Sequence, residues 1–280
     1  MSQKFLLGLI GAPIAHSAAP AMHEGAAAAL GLSCHYQLIE VAGAGREELR
    51  SLLDGVKSRG FAGVNVTFPY KEAVIELLDQ LAPEVQAIGA VNTVVVRDGR
   101  LTGHNTDTTG FATAVAPYLA ASREGAVALI GAGGVGKAIG FALARLGAKD
   151  IRIFDSDRAR AERLVAMLAG AATVAESVDA ALDGAKGLVN ATPVGMLPDR
   201  GMPVPERLLH DGLWVADAVY SPLMTQLLTA AHAKGARIMT GRDLAIHQAV
   251  DAFRLFTGQT PSSAVMAEAF DAVMAKRAAK

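Results

Sequence analysis

The side chains best able to do chemistry lie in three short stretches. In Gly63-Val-Asn65-Val-Thr67-Phe-Pro-Tyr-Lys71, Asn65 and Thr67 stand two apart at the end of an apolar run. On a strand that spacing puts both on one face. Lys71 is then expected one turn into a following helix, so that an ammonium converges with an amide and a hydroxyl. Gly89-Ala-Val-Asn92-Thr93 and Asn105-Thr106-Asp107 add two more amides and a carboxylate. Such groups can bind a small polar molecule and hold or move a proton on it.

A fourth stretch points to a nucleotide. Gly131-Ala132-Gly133-Gly134-Val135-Gly136 follows the apolar strand Val127–Ile130 and runs into a segment with Ile139, Leu143 and Leu146 at helical spacing. Gly131 permits a tight turn, Gly133 lets a pyrophosphate approach the backbone, and Gly136 lets the helix pack close to its strand. The helix N-terminus offers N–H groups to phosphate. Asp155 ends the next apolar strand, where a carboxylate accepts from ribose hydroxyls and repels a 2′-phosphate. NAD is therefore expected ahead of NADP. Asp157 has a second reading as a helix cap, and Arg158 or Arg160 offers a phosphate an alternative partner.

The elements that must position these residues follow from periodicity. Strands are expected at Phe5–Ile10, Cys34–Ile39 and Ala62–Val66, with helices near Pro20–Leu30, Arg46–Lys57 and from Pro69 onward. Asp98-Gly99 joins Val94–Val96 to Leu101–Thr102 as a two-residue hairpin, expected to end the first sheet. A helix over about Thr108–Leu119 and a loop at Ala121–Gly125 lead to a six-stranded doubly wound series. Its strands are expected at Val127–Ile130, Ile151–Phe154, Ala172–Val174, Leu188–Asn190, Leu213–Asp217 and Arg237–Met239. Helices over Leu244–Phe256 and Ser262–Lys276 follow, the last with Thr260 as cap and Pro261 in its first turn. The fold class is α/β.

Bulk properties narrow the function. The 280 residues suggest two domains, and their composition, 51% hydrophobic with 5% aromatic, suits Ala-rich helices packed on buried strands. With 26 basic and 27 acidic side chains there is no electrostatic footprint for nucleic acid or anionic lipid. No stretch has the length of a membrane span, and the apolar run after Lys4 is broken by Gly8, Gly11 and Pro13 as a secretory leader would not be. The single Cys34 excludes an intrachain disulfide and reads as a small strand hydrophobe, which suits the cytoplasm. His16, His23 and His104 are scattered and read as local hydrogen-bonding groups; no metal is expected. A homodimer is compatible with the sequence but not required by it.

At the level of motifs the chain resembles the shikimate dehydrogenase family over nearly its whole length. The matching segments are GAPIAHSAAPAMH, NVTFPYK, GAVNTV, HNTDTTG, GAGGVGKAIG, NATPVGM, Val219-Tyr220-Ser221-Pro222, and Gly241 followed by Gln248-Ala-Val-Asp-Ala-Phe. The resemblance implies a substrate domain over residues 1–106, a nucleotide domain over 107–242, and C-terminal helices over 243–280 that return to the first domain, with the site in the cleft. It makes Lys71 and Asp107 the catalytic pair and Ser17, Asn65, Thr67, Asn92, Tyr220 and Gln248 the substrate contacts. Thr192, Val219 and Gly241 join the glycine loop, Asp155, Asp157 and Arg160 as cofactor contacts. Alcohol oxidation takes a hydride from carbon and a proton from oxygen, and a lysine oriented by a carboxylate can manage that proton.

Two departures bear on substrate and cofactor. The family usually carries a second hydroxyl two positions after Ser17 to hold the substrate carboxylate, and here that position is Ala19. A lost hydrogen bond to a charged group costs about 1.5–3 kcal/mol, roughly ten- to hundredfold in affinity. Biosynthetic members carry Asn-Arg-Thr where this chain reads Asp155-Ser156-Asp157. The implied activity is NAD-dependent oxidation of quinate or shikimate, a cyclic polyhydroxy acid, to the 3-dehydro ketone. The alternatives are an NADP-dependent shikimate dehydrogenase of aromatic biosynthesis, a dehydrogenase of an altered cyclic hydroxy or amino acid, and a non-catalytic nucleotide-binding regulator.

Overall fold

The computed structural model describes residues 3–120 and 125–278; most of the Ala121–Gly125 connection lies outside the described residues. The chain begins β1 (Lys4–Gly11), α1 (Ala19–Ala29), β2 (Ser33–Glu40), α2 (Arg46–Ser58), β3 (Gly63–Val66), β4 (Gln80–Leu81), α3 (Pro83–Ile88), β5 (Thr93–Arg97), β6 (Arg100–His104) and α4 (Thr106–Ala120). It continues β7 (Val127–Ile130), α5 (Gly134–Arg145), β8 (Ile151–Phe154), α6 (Arg158–Met167), β9 (Ala172–Val174), α7 (Val178–Leu182), β10 (Gly187–Asn190), β11 (Trp214–Asp217), α8 (Gln226–Ala233), β12 (Arg237–Met239), α9 (Gly241–Thr257) and α10 (Ser263–Ala278). Contacts divide it into two units, one running up to Thr106 and resuming at Ile246, the other spanning Asp107–Ala245.

The first unit is a six-stranded sheet in the order β2-β1-β3-β5-β6-β4. β1 runs parallel to β2 and β3, and β5 is antiparallel to β3 with Asn65 opposite Thr93. One face is covered by α2, whose Leu49, Leu53 and Val56 recur at helical spacing and are buried. Each such side chain contributes about 1.5–3 kcal/mol on burial. The other face takes α9 so closely that a Cβ on Gly63 would stand 2.4 Å from the Phe256 ring and 2.5 Å from the Val94 carbonyl. Only glycine fits there. Asp98 and Gly99 have φ of 50° and 73°, the left-handed pair that a two-residue hairpin turn needs.

Three expectations for this unit are corrected. The hairpin is not the edge of the sheet, because β4 pairs in parallel beyond β6. No α-helix starts at Pro69. The Lys71 carbonyl accepts from Val91 N at 2.8 Å, the chain closes on itself through Tyr70 N to Thr67 O at 2.9 Å, and only a 3-10 turn forms at Ile75–Leu77. Diverting that carbonyl stops the helical ladder, so Lys71 sits in a turn. The last helix starts at Ser263, later than Thr260 and Pro261 suggested.

The second unit is an all-parallel six-stranded sheet in the order β12-β11-β10-β7-β8-β9. Its strands bury both faces, as the near-continuous apolar runs VALI, GLVN and WVAD require. On one side Phe111, Val115, Ile139, Leu143 and Leu164 pack on Val127 and Leu129. On the other Leu182, Leu227 and Leu228 meet Ile130, Leu188 and Val215.

His23 is 1% exposed on α1, and among the described residues its Nδ1 has no hydrogen-bond partner, unlike the local hydrogen-bonding group anticipated. Its ring stacks on Tyr36 at 4.7 Å and lies 6.0 Å from that of Phe253. Burial lowers its pKa from 6.5 to about 3. An unfolded chain takes up this proton below pH 6.5 and the folded one does not, so the stability present above 6.5 is lost as the pH falls toward 3. Between about pH 7.5 and 5 the protein should lose about 2 kcal/mol more unfolding free energy than His23→Leu. Parallel urea curves at the two pH values would disprove it.

Candidate functional site

Strand direction gathers the polar residues of the first unit. β1 and β3 both end, and β5 begins, at one edge of the sheet, because β1 is parallel and β5 antiparallel to β3. Segment 12–17 and segment 67–71 therefore leave side by side, joined by Ala12 N to Phe68 O at 3.0 Å. Asn65, at the end of β3, is 7% exposed; its Nδ2 donates to Asn92 O at 3.2 Å and Thr93 Oγ1 at 3.0 Å, and its Oδ1 accepts from Tyr36 OH at 2.8 Å. Asn92 Oδ1 accepts from Thr106 N at 2.7 Å, its Nδ2 donates to Thr106 Oγ1 at 2.9 Å, and Thr106 Oγ1 is 3.5 Å from Gln248 Oε1. Buried amides left unpaired cost about 1–3 kcal/mol each, so this chain of bonds fixes the strand ends.

Of the residues singled out in this half, Asn65, Asn92 and Gln248 thus belong to one network. Thr67 follows β3 directly, half-buried, with its backbone N bonded to Ile10 O at 2.9 Å. Lys71 is half-buried in the next turn. Ser17 Oγ accepts from Ala19 N at 3.2 Å, which leaves its hydroxyl hydrogen to donate elsewhere. Sequence reasoning missed Tyr36, Thr93 and Thr106 as network members. The signal was present for two of them: hydroxyl residues beside Asn92 and Asp107 at the ends of apolar strands.

In the second unit most of the singled-out residues lie at the carboxyl ends of the parallel strands: Gly131 after β7, Asp155 and Asp157 after β8, Thr192 after β10, Val219 and Tyr220 after β11, and Gly241 after β12; Arg160 lies in the first turn of α6, and Asp107 is buried in the first turn of α4. Strand order reverses between β7 and β10, the crevice where such sheets take ligands. There Gly131 has φ 102°, and a Cβ on it would meet Thr192 Cγ2 at 2.8 Å. A Cβ on Gly136 would stand 2.1 Å from Gly131 O, whereas one on Gly133 would meet nothing within 4 Å. The α5 N-terminus begins without a side-chain cap. Open space at Gly133 beside an uncapped helix start fits a dinucleotide pyrophosphate.

Asp155 ties this loop to β8, with Oδ2 accepting from Ala132 N at 2.7 Å and Oδ1 from Asp157 N at 2.8 Å. Each oxygen keeps a lone pair for a further donor. Asp157 caps α6 by accepting from Ala159 N at 3.1 Å, and its other oxygen is 3.4 Å from Arg160 Nε. Gly241 is pressed on the preceding loop, where a Cβ would come within 2.5 Å of Val219 O.

A second asparagine network, which sequence reasoning overlooked, organises the loops after β10 and β11. Asn190 Nδ2 donates to Asp217 Oδ1 at 2.9 Å, and its Oδ1 accepts from Thr192 N at 3.0 Å and Thr192 Oγ1 at 2.7 Å. Asp217 also accepts from Val219 N at 2.9 Å and Thr225 Oγ1 at 2.7 Å. An acid closing the apolar run LWVAD is the signal that could have found it. Cys34 is a strand thiol with its pKa pushed up to about 11, first by burial and then by Glu24, as expected of an unreactive hydrophobe. Among the described residues no three His, Cys, Asp or Glu gather as a metal site requires, and no helix is long and apolar enough to cross a membrane.

Residues 9–94 match the model of the shikimate dehydrogenase substrate binding domain, and residues 241–269 that of the shikimate 5'-dehydrogenase C-terminal domain. The chain is 46% identical over 268 residues, 92% of each chain, to a shikimate dehydrogenase (NADP(+)) of Streptomyces avermitilis. It is 44% identical to a quinate/shikimate dehydrogenase (NAD(+)) of Corynebacterium efficiens, covering 91% of this chain and 94% of that one. Its fold matches the structure of quinate dehydrogenase from Corynebacterium glutamicum in complex with NAD, with TM-score 0.88, 40% identity, and coverage of 97% and 100%.

Burial raises the Asp217 carboxyl to about 6 against three hydrogen bonds that oppose the shift. A raised carboxyl contributes stability below its unfolded value of 3.8 that is lost as the pH rises through 6. Relative to Asp217→Asn, the protein should therefore lose about 2 kcal/mol between about pH 4 and 7.5. Asp217→Ala, which strands three donors, should be far less stable than either throughout. Chemical denaturation across that range checks both, and a constant difference between the native protein and the Asn variant would refute the charge assignment.

Proposed function

Because the chain belongs to the shikimate dehydrogenase family of NAD(P)-dependent oxidoreductases, we propose that it oxidises a ring hydroxyl of quinate or shikimate to the 3-dehydro ketone, reversibly and with NAD preferred. The observation that supports the NAD preference is the Asp155 carboxylate, held at the end of β8 by Ala132 N with a lone pair still available on each oxygen. Ribose hydroxyls can donate to it, while a 2′-phosphate brings like charge against it and Asp157.

The residues that would hold the dinucleotide are Gly131 to Gly136, with the uncapped start of α5 toward the pyrophosphate. Thr192, Val219 and Gly241 would border its nicotinamide end, and Asp155, Asp157 and Arg160 its adenosine end. When bound, the nicotinamide supplies the hydride acceptor. Lys71 would hold the reacting hydroxyl and carry its proton, with Asp107 orienting the amine. Ser17 would donate its free hydroxyl hydrogen to the substrate carboxylate. Asn65, Thr67, Asn92, Tyr220 and Gln248 would meet the ring hydroxyls, with Asn65, Asn92 and Gln248 oriented in part by their bonds to Tyr36, Thr93 and Thr106. Ala19 removes one donor from the carboxylate end and leaves the choice between the two acids to measurement. Residues 1–106 and 243–280 would form the substrate domain and 107–242 the nucleotide domain, working in the cytoplasm.

Initial rates with quinate or shikimate against NAD or NADP test this directly. NAD-linked turnover is expected, falling by about 10²–10⁴-fold in Lys71→Ala with dinucleotide binding retained. Faster turnover with NADP would overturn the cofactor assignment, and none with either acid would overturn the substrate. Gly136→Ala, whose Cβ would collide with Gly131 O at 2.1 Å, should instead weaken dinucleotide binding at least about tenfold, since loss of one good charged hydrogen bond already does so. Calorimetric titration with NAD reads that outcome; unchanged affinity would mean that the loop does not receive the pyrophosphate.

A further inference from the structure

A cavity of about 180 Å³ opens at the carboxyl ends of β8 and β9, lined by Phe154, Asp155, Arg158, Ala161, Val174 and Glu176 among others. Its lining sets apolar side chains beside charged ones, among them the Asp155 carboxylate assigned above to ribose. On that reading it receives the adenosine end of the dinucleotide. Arg158, which lines it, and Arg160, two positions along α6 beside Asp157, decide what a 2′-phosphate would find there.

Both are engaged. Arg158 Nε lies 2.8 Å from Glu162 Oε1, an ordinary pair one turn along α6, and its Nη1 lies 2.5 Å from Glu176 Oε2. Glu176 comes from the segment after β9, 18 positions away, so this second bond spans the cavity mouth. The two carboxylates hold the guanidinium more firmly protonated, and Arg158 in turn lowers the pKa of Glu176. Arg160 is paired with Asp157. A guanidinium is the usual bidentate partner of a phosphate, and here its Nε and Nη1 donors are already engaged by carboxylates.

We propose that Glu176, supported by Glu162, is a cofactor-specificity residue: it holds the Arg158 guanidinium across the cavity mouth and so withholds it from a 2′-phosphate. Asp155 disfavours the phosphate by repulsion; Glu176 does so by occupying the cation that could have compensated. The Glu176 side chain is 73% exposed, so the pair is screened and its removal leaves the fold intact. The effect is correspondingly a ratio of several-fold.

The test is calorimetric binding of ADP-ribose and of its 2′-phosphate, two probes that need no turnover, to the native protein, Glu176→Gln, Arg158→Ala and the double variant. In Glu176→Gln the affinity for the phosphorylated probe relative to ADP-ribose should rise about fivefold, and adding Arg158→Ala should abolish the gain. A ratio that moves less than about twofold overturns the proposal, as does a gain that persists without Arg158, which would make Glu176 a repulsive charge only. A native protein that already binds the phosphorylated probe more tightly contradicts the NAD preference itself, a separate result read from the native protein alone.

Discussion

A buried amide with unpaired hydrogen-bonding groups is costly, and both halves of this chain are organised around asparagines that meet that constraint. Asn65 and Asn92 sit at strand ends in the first unit, and Asn190 ends β10 in the second. Each has a planar amide that donates and accepts in fixed directions, so its partners must arrive in fixed places. Asn65 joins β3 to the start of β5 and to Tyr36 on β2; Asn190 joins the loop after β10 to Asp217 at the end of β11. The loops that leave these strands inherit a defined starting direction, and a site built on loops needs that support.

The same constraint explains why polar residues can be so deeply placed in sheets whose remaining positions are apolar. Thr93 is fully buried, yet its hydroxyl accepts from Asn65 and donates to Asn92 Oδ1. Asp217 is 1% exposed, and burial would leave its charge expensive, but three donors converge on it. Partial compensation is visible in its carboxyl, which remains above the ordinary range despite those bonds. His23 is the contrasting case. Its stacking with Tyr36 supplies contact but no hydrogen bond, and it stays neutral.

Much of this was legible from local pattern. Apolar runs bounded by glycine and acid marked β7, β8 and β10 with little error, and Asp98-Gly99 announced its turn, because both signals depend on neighbouring residues alone. The helix expected after Pro69 failed for the opposite reason: the Lys71 carbonyl is taken by Val91, twenty positions on, and no window of sequence contains that bond. β4 is two residues long and pairs by topology rather than by propensity, so it left no periodicity to read. Asn65 and Asn92 could be singled out by type and motif, whereas Tyr36 entered the network only through the sheet order. The pairing of Arg158 with Glu176 was hidden in the same way, since it depends on β8 and β9 lying side by side.

Cofactor choice shows what similarity over a whole chain can and cannot carry. Identity counts every position alike, and most positions answer to the common demands of burial, turn geometry and strand pairing. Two dinucleotides that differ by one phosphate are separated instead by a few charges at one edge of one sheet. On the proposed reading those charges are the carboxylates of Asp155, Asp157, Glu162 and Glu176 against the guanidinium groups of Arg158 and Arg160, an acidic excess in which each cation already has a carboxylate partner. A phosphate entering that group must compete with a carboxylate for each arginine and remain beside the others, whereas ribose hydroxyls need only an acceptor. The asymmetry follows from charge and occupancy at six side chains and would hold on any scaffold that kept them together.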